Sequence, residues 1–98
     1  MSNDTPDPQF WSMVDSFIQV ANGHCETIRS TRVAAAMMFS AARFSSFAVA
    51  GTAPSKTEFS AHKEENIRFI LSQCETMLRE NMAEYDAKFH SYLPGKGA

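Results

Sequence analysis

The sequence predicts an all-α protein, an antiparallel three-helix bundle with a long C-terminal helix. Three observations carry this. Glycine and proline, the residues that break helices, number only four each in 98 residues and lie mostly at the ends and in one linker. Apolar residues recur at steps of three and four, the period of one helix face. Start signals stand where those stripes begin: Asp7-Pro8 before the first and Ser55-Lys56-Thr57-Glu58 before the last.

The first helix is expected from about Pro8 to about Ile28. Asp7 suits the N-cap, and Pro8 costs nothing at the first helical position, where no amide donor is needed. Phe10, Val14, Phe17, Ala21, His24 and Ile28 form its seam, and Trp11, Ile18 and Cys25 widen it. Asn22-Gly23 is a turn signal, but the stripe continues in phase through it, so one helix is expected. Residues 1–6 are expected to be disordered, 7–93 to form a single helical domain, and 94–98 to be a flexible end.

Arg29 to Arg32 form the first connection, with Ser30 or Thr31 as the next N-cap. The second helix, about Arg32 to about Ala50, is apolar nearly all round. Such a helix meets neighbours on several sides, so it is expected at the centre. Its length also calls for a membrane test. Arg43 sits near its centre, and an arginine at a bilayer midplane costs about 2.5–3.5 kcal/mol on insertion scales. The expectation is a helix packed between two others, not a span. Gly51 is expected as the residue just past the helix and Pro54 as the stop.

The third helix is expected to begin at the capping box Ser55–Glu58 and to run unbroken to Leu93. That is about 36 residues, or ~54 Å, against ~30 Å for each of the others. Met82, Tyr85, Phe89 and Tyr92 continue an apolar stripe beyond the shorter helices, so either the helix breaks near Asn81 and folds back or the tail packs on a second copy, and the second is expected. These four are the candidate interface of a homodimer.

The formal net charge is −2, which gives no general field for nucleic acid. The charges are nevertheless segregated. From Thr27 to Thr57 there are only cations, Arg29, Arg32, Arg43 and Lys56; from Glu58 to Asp86 there are seven carboxylates against Lys63, Arg68 and Arg79. Mutual neutralisation within the fold or between subunits is the expected use. Cys25 and Cys74 are not a disulfide framework. They are expected to be small buried hydrophobes in a reducing cytoplasm, since the first residues lack a secretory pattern.

No cluster reads as a catalytic centre, and no cofactor or metal is implied. His24 and Cys25 are adjacent, so on a helix they point about 100° apart and do not face each other. Glu58, His62 and Glu65 share a face, but the paired Glu-x-x-His pattern of di-metal bundles is missing. Arg43 is the candidate ligand-binding residue, with His24 second. Inside an apolar helix its guanidinium must snorkel to water or be paired, and Glu75 or Glu64 is the expected partner. An anion-binding pocket around Arg43 is the alternative.

The run Val33 to Phe47, Met77 to Asn81 with Tyr85, the aromatic start Phe10-Trp11 and the stretch Phe17 to Cys25 together resemble a family of small proteobacterial proteins of unknown function. The resemblance implies a bacterial, cytoplasmic, helical protein and supplies no functional residues. The expected role is a non-enzymatic protein-interaction module acting as a homodimer, with neither nucleic acid nor membrane as partner; an anionic-ligand binder or minor enzyme at Arg43 is the runner-up.

Overall fold

In the computed structural model, which describes residues 6–97, helices form where the breakers are absent. The order is α1 (Pro8–His24), α2 (Ser30–Thr52), α3 (Lys56–Ala61), α4 (Lys63–Ala87) and α5 (Phe89–Tyr92). The protein is all-helical, with no strand among the described residues. Most of the expected disordered N-terminus, residues 1–5, lies outside them. The chain divides into two units, Met1–Ala48 and Val49–Ala98, with the boundary inside α2.

In the first unit, Asp7 caps α1 as its sequence demands: Oδ1 accepts a hydrogen bond from the Phe10 amide at 2.8 Å. The helix ends at His24, four residues short of the expected Ile28. Cys25 to Ile28 instead form tight turns, with the Glu26 amide bonded to the Gly23 carbonyl and the Thr27 amide to that of His24. The Asn22-Gly23 signal therefore prevails over the continuing stripe. Glycine has the largest backbone entropy to lose in a helix, and the apolar positions beyond it do not offset that loss. The buried residues are Ala21 and Val33, one from each helix of the unit. Phe10 and Val14 are half-buried, so the N-terminal half of the seam faces inward while Phe17 stays 65% exposed.

Helix α2 is longer than expected at both ends. Ser30 and Thr31 are helical residues rather than caps, and Gly51 continues the helix instead of terminating it. Its last turn is closed by Thr52, whose hydroxyl donates to the Val49 carbonyl at 3.0 Å. Pro54 then prevents further propagation.

In the second unit the expected single rod is three helices. Ser55 does cap α3, accepting from the Glu58 amide at 3.2 Å. At His62 (φ −105°, ψ 10°) the helix is interrupted for one residue and α4 starts. At Lys88 (φ −116°, ψ 26°) it is interrupted again, and the short α5 follows. Neither position carries glycine or proline. Both interruptions lie beside side-chain contacts made across them. The His62 imidazole lies 3.6 Å from Glu58 and 3.1 Å from Glu65. The Tyr92 hydroxyl donates to the Glu84 carboxylate eight residues earlier, and the Tyr85 and Tyr92 rings meet edge to face at 4.9 Å. The terminal turn is thus folded onto the end of α4. Gly95, at φ 91°, makes the turn that follows, in a region few other residues enter.

Candidate interaction surface

The surface of this protein is more apolar than its interior is large. Among the described residues no side chain is fully buried, whereas Met38, Phe39, Phe44 and Phe47 of α2 are each about two-thirds exposed or more. Phe44 and Phe47 stack on each other with centroids 5.5 Å apart, which shields little of either ring. By length and composition alone α2 is long and apolar enough to cross a membrane; Arg43 lies two residues past its midpoint.

Arg43 itself is exposed. The ion pairs among the described residues are local: His62 with Glu58 and Glu65, and Arg79 with Glu75 at 2.8 Å. Arg43 lines neither of the two clefts described below. His24 ends α1 and is exposed, a position where a cation suits the helix dipole. Cys25 and Cys74 are free and exposed, not the buried hydrophobes expected.

Two shallow depressions lie in the second unit. The first sits where α3 meets α4, between Pro54, Phe59, His62 and Asn66, with Glu58 and Glu65 at its rim. Glu58, His62 and Glu65 do share one face, as their spacing predicts, but they pair with one another. Among the described residues no three His, Cys, Asp or Glu are arranged to hold a metal ion. Sequence reasoning missed this depression because the break at His62 has no breaker residue to announce it.

The second is a groove along α4, lined by Leu71, Cys74, Glu75, Leu78, Arg79 and Met82. Their spacing is that of one helix face. Leu71 is 62% exposed and Leu78 58%. The four tail residues expected at an interface flank this groove and differ among themselves. Met82 is open to solvent, while Tyr85 and Tyr92 are turned partly toward each other. Phe89 meets the edge of His90, and Lys88 lies 5.8 Å above the Tyr92 ring, a cation–π contact.

The acidity of Tyr92, in the tail, is displaced. The hydrogen bond from Tyr92 to Glu84 holds its phenol above the ordinary tyrosine value of 10.0, with the charge of Glu84 acting in the same direction. The bond exists only while the phenol is protonated. Its contribution is therefore complete below pH 10 and disappears as pH rises through the elevated value. Ultraviolet titration should find one tyrosine deprotonating late, and Glu84→Gln should return it toward the usual range. A late tyrosine that persists in Glu84→Gln would show that Glu84 is not the cause.

These features define an all-helical protein whose distinguishing property is exposed apolar helix, not an assembled reaction centre. Over residues 10–85 the chain matches the model of a family described as a protein of unknown function, DUF3144, and it belongs to that family. No curated protein and no solved structure matches it.

Proposed function

We propose that this protein is a non-enzymatic interaction module that works as a homodimer, in which two copies complete the antiparallel helical bundle that one chain leaves open. The observation that carries this reading is the exposure of large apolar side chains from every long helix, among them Phe17 on α1, Phe39 on α2 and Met82 on α4. Burying one such side chain is worth about 1.5–3 kcal/mol. A dozen of them, most already about half covered, leave roughly 10–20 kcal/mol of gross burial unused, a gain comparable with what association costs. Apolar patches on this scale mark association surfaces. Segregated charge, with cations alone from Thr27 to Thr57 and an excess of carboxylates from Glu58 to Asp86, supplies a means of orienting two copies. The free thiols of Cys25 and Cys74 accord with a reducing cytoplasm as the working compartment.

The test is the mass in solution. Light scattering on the eluting protein should give a value near twice the 10.9 kDa of the chain at micromolar concentration. A folded species that stays at 10.9 kDa up to high concentration would sink the proposal.

A further inference from the structure

We infer that the face of α4 formed by Ile67, Leu71, Cys74 and Leu78 is the contact between copies, and that it pairs with the same face of a second copy, antiparallel, centred between Ser72 and Gln73. This rests on the self-association reading above and assigns its geometry.

The apolar part comes first. Ile67, Leu71, Cys74, Leu78 and Asn81 follow one another at steps of four, three, four and three, the repeat of a helix pair packed side by side. Ile67, Leu71 and Leu78 are 43–62% exposed and Cys74 is exposed, so the seam is open along its whole length. The rest of α4 carries Lys63, Glu64, Glu65, Arg68, Glu75, Arg79, Glu80, Glu84 and Asp86. A helix so charged on its remaining faces is built for a protein partner rather than a hydrocarbon one.

Charge then selects orientation and register. In a parallel, in-register pair the seam's edges would set Lys63 against Arg68 of the second copy, like against like. In an antiparallel pair with Ile67 opposite Leu78 and Leu71 opposite Cys74, the edges change character. Arg68 faces Glu75 of the second copy, Lys63 faces Glu84, and Ile70 faces Met77. Each contact occurs twice by symmetry. Beyond the apolar layers, Asn81 comes opposite Glu64, a hydrogen-bonding pair that fixes the register. Sliding by one heptad instead sets Glu75 against Glu75 and buries Asn81 against Leu71. Only the first register matches every edge. It also carries Tyr85 to the level of Ser60 in the second copy, which places the aromatic tail beside the other chain's α3.

Two measurements test the assignment. Spin labels go on outward positions, by Gln73→Cys or Glu80→Cys in a chain with Cys25→Ser and Cys74→Ala, the latter keeping the seam apolar, with the mass of the unlabelled Cys25→Ser/Cys74→Ala chain checked first. Position 73 lies at the centre of the antiparallel pair, so the two labels there should be about 20 Å apart. At position 80 an axial offset of 15 residues adds about 22 Å along the helix, giving about 30 Å. Equal distances at both positions would mean a parallel pair and overturn the register. A dimer by mass with no short distance at position 73 would remove the α4 seam while leaving self-association standing. A monomer by mass would remove both, and would mean that the seam is covered by its own chain.

The second measurement is a charge exchange. Arg68→Glu should weaken association about tenfold, and adding Glu75→Arg should restore it. Loss without restoration would overturn the Arg68–Glu75 pairing.

Discussion

Replacing Tyr85 and Phe89 together by glutamate should convert the dimer into a folded monomer of 10.9 kDa. Both side chains are partly exposed, at 49% and 38%, so neither is needed to fill a core. Each lies on the C-terminal part of the apolar stripe, and in the proposed arrangement each meets the other copy. Two carboxylates per chain on a surface already rich in Glu80, Glu84 and Asp86 would add like-charge repulsion to the loss of apolar area. The four substituted positions in the dimer, each already half covered, would forgo roughly 3–5 kcal/mol of burial, enough to weaken a micromolar complex about a hundredfold or more. Circular dichroism should keep its helical signal while light scattering reports the lower mass. A double variant that remains a dimer would place the tail outside the contact.

The second large effect is expected at Val33. It is the most buried side chain described, 6% exposed, and Ala21 is the other buried residue of the first unit. Val33→Asp would bury an unpaired carboxylate, which costs several kcal/mol before any rearrangement. A chain of this size has little in reserve, so the first unit should lose cooperative melting. Val33→Ala removes two methyl groups and should cost only about 2 kcal/mol, lowering the melting temperature without abolishing the transition. Thermal denaturation followed by far-ultraviolet circular dichroism distinguishes these outcomes. A Val33→Asp variant that melts like the wild type would show that burial at Val33 does not hold the unit together.

The contrast between Val33 and Arg43 shows where sequence reasoning succeeds and where it stops. Both lie on α2, ten residues apart, in a run that is apolar on nearly every face. Periodicity identifies the helix but does not rank its faces, because there is no polar side to mark as solvent. Arg43 is exposed, and Phe39 and Phe44, natural core residues by composition, are exposed as well. The candidate interface was partly legible. The stripe from Ile67 through Tyr85 is visible in the spacing, but that its first part is an open groove and its last part is engaged by Tyr92 could not be read from spacing.

Taken alone, the amino-acid order determined that the chain is helical, where α1 and α3 begin, and that its charges are segregated. Those are local properties: a cap such as Asp7 or Ser55 acts within three residues, and helix propensity acts residue by residue. Only the tertiary structure decided that the third rod breaks at His62 and Lys88, and which apolar faces remain uncovered. Such outcomes depend on contacts between side chains that meet only after the backbone has turned, as Tyr92 meets Glu84 and Tyr85. Such a contact outweighs the modest preference of a single residue for continuing a helix, and nothing in the neighbouring sequence encodes it.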